Sequence, residues 1–277
     1  MNDARDAMFL GSGAHLWAVV AATMRAYLKR FSAYAIELIR WPLGPLLTFA
    51  SWLITYHVAG RSHVDGATAA GFLVVGIFGL ITWTSTLWAS GYALEFERHE
   101  GTSAALFLSP TSRGAVVAGY GLGSFVWFLP SFATLTLLGF VTGARLHVSD
   151  LMALLLSGLA LFAASLAMGF FFSGLFILSR RGNLIANVLQ APIFLLCGFL
   201  VPLSSLPAWL RPLSDAIPAT HAVIALRQSA LAGATMRGIG GALLATFGLS
   251  LVYLVLGLYG LRRVERVAKR AGQLDLY

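Results

Sequence analysis

The side chains that could do chemistry in this chain are few, and the densest group lies in the strip 95–113, with the sequence EFERHEGTSAALFLSPTSR. Four of its first six residues are acidic or basic, and a turn of small residues, a short apolar run and Ser109-Pro110 follow. Largely apolar runs of about twenty residues or more flank the strip, long enough to cross a membrane. Because charged side chains are costly in hydrocarbon, the strip must lie outside it. We predict that a partner protein grips this strip and moves the flanking segments through it.

The lysines exclude nucleotide binding through a phosphate-binding loop. The chain has two lysines, Lys29 after Leu28 and Lys269 after Ala268, and neither can complete the Gly-Lys-Ser/Thr that such a loop requires. A process driven by ATP would therefore need a second polypeptide to bind the nucleotide.

Catalytic and metal-binding patterns are also missing from the sequence. The six histidines include no pair at metal-ligand spacing on one helix, there is no Gly-x-Ser-x-Gly elbow, and the single Cys197 lies in an apolar run. His147 and Asp150 are the strongest remaining pair, and we expect them to be solvated in a short external loop. We predict no catalytic residue, no metal site and no cofactor held by this chain.

The composition is typical of a membrane protein. Hydrophobic residues make up 58% of the chain and charged residues 11%, whereas about a quarter of the residues of a soluble domain are charged. The net charge of +8 could indicate a nucleic-acid partner, but the cations flank apolar runs and form no face with interleaved aromatic residues. Orientation of membrane spans by cytoplasmic cations explains them better, so we predict no nucleic-acid binding.

The apolar runs predict an all-α, polytopic membrane protein that forms a single domain over 1–277. Over 14–31, apolar residues recur at helical spacing while Arg25 and Lys29 project elsewhere, which is typical of an amphipathic helix in the plane of the headgroups. Six spans and a basic tail follow. We place the spans at 38–59, 71–94, 114–142, 151–178, 183–202 and 241–261, and the tail at 262–277.

The distribution of lysine and arginine orients these spans. Thirteen of these residues lie in the amino-terminal segment, the second-to-third and fourth-to-fifth loops and the tail, and five lie in the other connections. Because cytoplasmic segments carry the excess of Lys and Arg, both termini and the strip 95–113 are expected in the cytoplasm.

Small residues inside two spans predict close helix packing. Residues that recur every fourth position on one helical face let helix backbones approach each other in lipid. These stripes are Ala115, Gly119 and Gly123 in the third span and Ser165, Gly169 and Ser173 in the fourth.

Three amides of the fifth span, Asn183, Asn187 and Gln190, fall on one helical face. An amide that faces lipid is costly, so this face should meet another helix or a wet path. Contacts between helices and the lining of a substrate path both fit this pattern.

The segment after the fifth span is rich in proline, with five of the nine prolines between 192 and 218. The fifth span should therefore break and re-enter as short external helices, and residues 220–237 predict a further interfacial helix. This region could form an external gate or a plain structural cap. The candidate gate residues are Pro202, Pro207, Trp209 and Pro218.

Two stretches together resemble a known family. The first is Glu97-Arg98-His99-Glu100-Gly101-Thr102, followed by Leu106, Ser109-Pro110 and Arg113, and the second runs from Pro192 through Gly198, Pro202, Pro207 and Trp209 to Pro218 and Arg227. With the amphipathic start and the six spans, their order is similar to that in the membrane subunit of type-2 ABC exporters. That branch includes drug, nodulation-factor and polysaccharide export permeases.

The resemblance implies a division of labour between subunits. A separate ABC ATPase in two copies would bind ATP and Mg, and two permease chains, identical or related, would form the path through the lipid bilayer of a bacterial inner membrane. A cytoplasmic coupling helix between the second and third spans would contact the ATPase. The implied coupling residues are Glu97, Arg98, Glu100, Gly101, Thr102, Leu106, Ser109 and Pro110. The implied path residues, in spans two and five, are Thr82, Ser85, Thr86, Asn187 and Gln190.

The expected function is the export of an amphiphile, such as a lipophilic drug, a lipid or a lipid-linked glycan, from the cytoplasm or the inner leaflet. Two other classes of protein remain as alternatives. An integral-membrane lipid-modifying enzyme would need an acid/base or metal cluster at one interface, and the sequence offers none. A non-transporting scaffold would act without any ATPase partner.

Overall fold

A computed structural model describes residues 13–99, 112–178 and 182–271, and over these residues the protein is mainly helical. The helices are α1 (Gly13–Ser32), α2 (Ala35–Val58), α3 (Ala69–Thr86), α4 (Ala93–His99), α5 (Arg113–Val141), α6 (Leu151–Leu178), α7 (Gly182–Leu196), α8 (Arg211–Asp215), α9 (Pro218–Leu231) and α10 (Met236–Ala271). The shorter elements are the antiparallel strands β1 (His63–Val64) and β2 (Ala67–Thr68), a π-helical turn over Leu87–Gly91, and 3₁₀ turns over Leu203–Ser205 and Ala208–Leu210.

The long helices alternate in direction, so that several connections meet at one end of the bundle. The Arg145 backbone N–H donates to the Thr68 hydroxyl at 3.2 Å, and the Ser204 hydroxyl donates to the Asp65 carboxylate at 3.0 Å. We call this the gate end, and it comprises residues 59–68, 142–150 and 197–235. The opposite end, where α4 leads into the strip 95–113, is called the strip end.

Four helical segments among the described residues are long and apolar enough to cross a membrane: Ala69–Gly91, Arg113–Val141, Leu151–Phe176 and Met236–Arg263. They overlap the second, third, fourth and sixth predicted spans. At the first predicted span, α2 carries two internal prolines. At the fifth, α7 has 15 residues, which at about 1.5 Å per residue fall short of about 30 Å of hydrocarbon. The count of six spans therefore stays a prediction.

Helix α3 is the centre of the bundle. It packs against α2, α5, α6 and α9, and its side chains Phe72, Leu73, Ile77 and Trp83 are almost completely buried. By contrast, many large apolar residues of α5 and α10 are exposed, as expected for helices that face lipid. Helix α3, which leads toward the strip, is thus surrounded by other helices of the protein.

Directly after α3, over Leu87–Gly91, the chain makes a π-helical turn, which the sequence pattern did not predict. Ser90 in this turn lies against Gly169 of α6, where a Cβ atom would overlap the serine side chain. The predicted stripe around Gly169 therefore receives the π-helical turn. An extra residue in one helical turn rotates the segment that follows it, which here is α4.

Helices α6 and α10 approach each other through glycine. A Cβ on Gly257 would lie 2.5 Å from the carbonyl carbon of Phe170, and Gly174 faces the backbone of Gly257 and Gly260. Such close backbone approach is the usual basis of helix association in lipid, where little apolar area remains to be removed from water.

The stripe in α5 receives α1. A Cβ on Gly119 would lie 2.7 Å from the Thr23 Cβ atom, and one on Gly123 would lie 3.0 Å from the Tyr27 ring. The close packing expected from this stripe is present, and its partner is the amphipathic helix rather than another long span.

Asp150 joins the amino-terminal ends of two helices. Its Oδ1 atom accepts from the backbone N–H groups of Met152 and Ala153 at 3.0 and 3.2 Å, and its Oδ2 atom accepts from the Met236 N–H at 3.1 Å. One carboxylate thus caps both α6 and α10. The expectation that Asp150 is merely solvated was therefore wrong.

The helix expected at the membrane interface over 220–237 is also corrected. It runs from Pro218 to Leu231 as α9 and packs against α3, α6 and α10. Ala219, Ala222 and Ala225 are fully buried, because small side chains on this face let α9 fit between the longer helices.

Replacing Gly257 should lower the stability of the protein. In Gly257→Ala the new methyl group meets the Phe170 backbone, which cannot rotate away, so we expect a loss of about 1–3 kcal/mol. Thermal unfolding in detergent measures the change. The matched control is Gly248→Ala in the same helix, where a Cβ meets nothing within 4 Å; an equal loss in both variants would contradict the packing described.

The Asp150 caps predict a specific dependence of stability on pH. Hydrogen bonds from Ala153 and Met236, with a smaller one from Met152, hold the pKa of the Asp150 carboxyl below its ordinary value of 3.8. The stabilisation is therefore complete above that value and is lost as the pH falls through the lower pKa of the folded state.

We expect the melting temperature of the native protein to fall more steeply below about pH 4 than that of Asp150→Asn, which should already melt lower at pH 7. The control is Asp215→Asn, which changes an exposed aspartate at the same end of the bundle. Parallel pH curves for all three proteins would refute the role of this carboxylate.

Candidate functional site

The structure describes only part of the predicted coupling strip. Residues 100–111 lie outside the described part of the chain. The predicted coupling residues in that gap are Glu100, Gly101, Thr102, Leu106, Ser109 and Pro110. The strip is described at its two borders: α4 carries Glu97 and Arg98, and Ser112 caps α5 by accepting from the Ala115 N–H at 3.4 Å.

The border at α4 is tied to two other helices. The Tyr120 hydroxyl of α5 donates to the Glu97 Oε1 atom at 2.8 Å. The Arg30 guanidinium of α1 lies 3.8 Å from the centre of the Phe96 ring, a cation–π contact. We call Phe96, Glu97, Tyr120, Arg30 and Tyr27 the strip junction.

Tyr27 completes the strip junction from α1. It is buried, its ring packs edge-on against Tyr120 with centroids 5.8 Å apart, and it lies against Gly123. A force applied to the strip would therefore reach α1 and α5 through the same contacts. Sequence reasoning placed Glu97 in this region but did not identify Tyr27, Arg30 or Tyr120 as its partners.

The predicted path residues do not share one surface in this single chain. Thr82 and Thr86 are fully buried in α3 and Ser85 is nearly so, whereas Asn187 of α7 is exposed and Gln190 is half-buried. Thr82 donates to the carbonyl of Phe78 at 2.8 Å, one turn earlier. A path lined by both sets of residues would require α3 to be uncovered, so the assignment stays a prediction.

A surface depression lies elsewhere, at the gate end, between the end of α2, the start of α3 and residues 142–145. Its volume is about 590 Å³, and Arg61, Arg145, His57 and His63 line it together with apolar residues of α2 and α3. None of the five predicted path residues borders it. The depression is open, and its cationic side chains are exposed.

The gate region begins where α7 ends. Gly198 has φ of +67°, its N–H donates to the Leu195 carbonyl at 3.1 Å, and the Phe199 N–H donates to the Phe194 carbonyl at 3.4 Å. This is a Schellman ending, with the expected contact between the Phe194 and Phe199 rings. The sequence predicted a break here, and Gly198 produces it.

Ending the helix leaves carbonyl groups without helical partners, and side chains from three elements fill that role. Ser214 of α8 and Thr220 of α9 donate to the Leu196 carbonyl at 2.6 and 3.3 Å. The Tyr56 hydroxyl of α2 donates to the Leu200 carbonyl at 2.8 Å. We call residues 196–202 the α7 break.

The predicted gate residues surround the α7 break in different ways. Pro202 is buried and precedes the first 3₁₀ turn, Pro207 precedes the second, and Pro218 is the buried first residue of α9. Trp209 is 72% exposed, so it packs little against its own chain. The external gate and the structural cap both stay predictions.

Arg227 of α9 also lies at the α7 break. Sequence reasoning placed it at the end of the second family-like stretch and counted it among the external cations, but assigned it no contact. Its Nη2 atom donates to the Phe199 carbonyl at 3.1 Å. The available signal was its spacing of seven residues from Thr220, which places both donors on one face of a helix of small residues.

Comparison with known proteins supports a single interpretation. The family described as ABC-2 type transporter matches residues 15–231. The chain is also similar to the daunorubicin resistance ABC transporter permease protein DrrB1 of Streptomyces coeruleorubidus. The two are 23% identical over 242 residues, which cover 86% of this chain and 81% of the relative.

The strip junction predicts a measurable coupling between α4 and α5. In a double-mutant cycle with Tyr120→Phe and Glu97→Gln, we expect a coupling energy of about 1–2 kcal/mol, since the bond joins a hydroxyl to a carboxylate in a partly buried site. Unfolding of the four proteins in detergent gives the value. Glu97→Gln paired with Tyr253→Phe of α10, whose hydroxyl donates to the Ala216 carbonyl, is the control and should give a coupling energy near zero.

Proposed function

We propose that this chain, which belongs to the ABC-2 type transporter family, is the membrane permease subunit of an ATP-driven exporter. The observation that carries the proposal is the family match over residues 15–231. The multi-pass arrangement of apolar helices agrees with it. As a transporter component, the chain would have no catalytic reaction of its own.

The working complex would contain a separate ATPase. The chain lacks a phosphate-binding loop, so two copies of an ABC ATPase subunit would bind ATP and Mg. A second permease chain, identical or related, would complete the path through the bilayer.

Coupling would be mechanical. The strip from Glu97 to Pro110 would lodge against the ATPase, and closure of the ATPase around ATP would drag it. The strip junction would carry this motion into α1 and α5, and the buried α3 would carry it across about 30 Å of hydrocarbon. The gate near Pro202, Pro207, Trp209 and Pro218 would then yield at the opposite end.

The substrate would be an amphiphile. The relative's name refers to daunorubicin resistance, which favours a drug over a lipid or a lipid-linked glycan. Thr82, Ser85 and Thr86, with Asn187 and Gln190, are the proposed path residues, and a substrate can bias the cycle only by binding one state better than another. In this proposal the whole chain is one membrane domain of the bacterial inner membrane, with both termini in the cytoplasm.

Leu106→Ala tests the coupling strip. We expect it to weaken binding of the partner ATPase roughly tenfold, because an apolar anchor at the centre of an interface carries much of its energy. It should also abolish the stimulation of ATP hydrolysis by substrate. The measurements are co-purification of the ATPase and its activity in reconstituted membranes.

The matched control for this test is Leu137→Ala. Leu137 is an exposed leucine of α5 near the gate end, and its replacement should leave both properties unchanged. Substrate-stimulated hydrolysis that survives in Leu106→Ala would overturn the proposed coupling site. Export by the permease chain without any ATPase would overturn the proposed function itself.

A further inference from the structure

Arg227 is a half-buried cation at the gate end of the bundle. Its Nε atom is buried and has no hydrogen-bond partner, and no carboxylate in the described part of the chain forms a salt bridge with it. A cation in such a place is costly unless other groups offset its charge. The contacts that Arg227 does make therefore identify the parts of the structure that depend on it.

Besides the electrostatic attraction of the Asp65 carboxylate, two direct contacts offset the charge of Arg227, and they belong to different elements. Its guanidinium carbon lies 3.8 Å from the centre of the Phe72 ring of α3, and its Nη2 atom donates to the Phe199 carbonyl of the α7 break at 3.1 Å. The side chain of α9 thus links α3 to the α7 break. The Tyr56 ring, whose hydroxyl holds the next carbonyl, packs edge-on against the same Phe72 ring at 6.3 Å.

The α7 break fits against α3 because α3 has glycine at two positions. A Cβ on Gly76 would overlap the Phe199 carbonyl, and one on Gly79 would lie 2.8 Å from the Phe199 ring. Phe199 is completely buried in this position. The carbonyl that Arg227 binds is therefore seated directly on the backbone of the central helix.

We propose that Arg227 is a latch, a positioning residue that holds the α7 break against Gly76 of α3 and thereby keeps the gate end closed. Separation of the break from α3 removes the Phe199 carbonyl from Arg227 and exposes the guanidinium beside it. Both groups then need water, so the break separates only when water can enter. This inference rests on the proposed function only for identifying the α7 break as the exporter's gate.

The chain contains its own probe of this separation. Cys197, its single cysteine, is fully buried in the α7 break next to Gly198. A thiol in this position reacts with N-ethylmaleimide only when the break opens. The rate of modification, followed by intact-protein mass spectrometry, therefore reports the latch in the unaltered sequence.

We expect Arg227→Gln, without ATP, to raise the rate of Cys197 modification by roughly ten- to a hundredfold, because a charged donor to a buried carbonyl is lost. Tyr56→Phe removes only the neighbouring hydroxyl and should raise the rate by a smaller factor. The matched controls are Arg211→Gln, an exposed arginine of α8, and Tyr259→Phe, an exposed tyrosine of α10. Neither should change the rate.

Gly257→Ala controls for a general loss of stability, because it should destabilise the protein at the contact between α6 and α10, away from Arg227. If Gly257→Ala labels as fast as Arg227→Gln at the same margin below the melting temperature, Arg227 has no specific role and the latch is overturned. Unchanged labelling in Arg227→Gln overturns it as well.

A second arm separates the latch from the proposed function. The native permease, reconstituted with its ATPase, should label faster at Cys197 during ATP hydrolysis than without nucleotide. Fast labelling of Arg227→Gln without any effect of ATP on the native protein would support the latch and count against the gate in an ATP-driven cycle. If ATP hydrolysis speeds labelling of the native protein but Arg227→Gln labels at the native rate, the result supports the gate and counts against the latch.

Discussion

The gate end of this protein is shaped by one constraint: a helix that ends inside the bundle leaves carbonyl oxygens that water cannot reach. Gly198 ends α7, and the carbonyl groups of Leu196, Phe199 and Leu200 must find donors in the protein. Those donors come from α2, α8 and α9. The segment after the break is therefore bound at several points, and its position depends on hydrogen bonds as well as on apolar packing.

Glycine residues determine how closely several elements of the bundle approach each other. Gly76 allows the Phe199 carbonyl to rest on α3, Gly123 admits the Tyr27 ring, and Gly257 admits the backbone of α6. Each contact joins a different pair of elements: α3 with the α7 break, α5 with α1, and α10 with α6. Because these contacts are made by backbone and rings, flexible side chains do not absorb small shifts between the elements that they join.

The sequence identified the helices more readily than their partners. The uninterrupted apolar run over 151–178 predicts the helix that the structure has as α6, because length and hydropathy are local properties. The stripe at Gly119 and Gly123 predicted close packing, but the choice of α1 as partner depends on residues a hundred positions away. Arg227 was misplaced for the same reason: a helix that contains His221, Arg227 and Gln228 has the composition of a surface helix until the elements that cover it are known.

Asp150 has a consequence for how the protein is made. Its carboxylate binds the first N–H groups of α6 and also the Met236 N–H, which lies 86 residues later in the chain. During synthesis α6 is complete well before α10 exists. Until α10 is made, the Asp150 carboxylate lacks the Met236 N–H and Gly174 of α6 lacks its contact with α10. The nascent bundle therefore reaches its final compactness only when α10 has been inserted, and a ribosome stalled before that point would hold an open intermediate for membrane quality control to recognise.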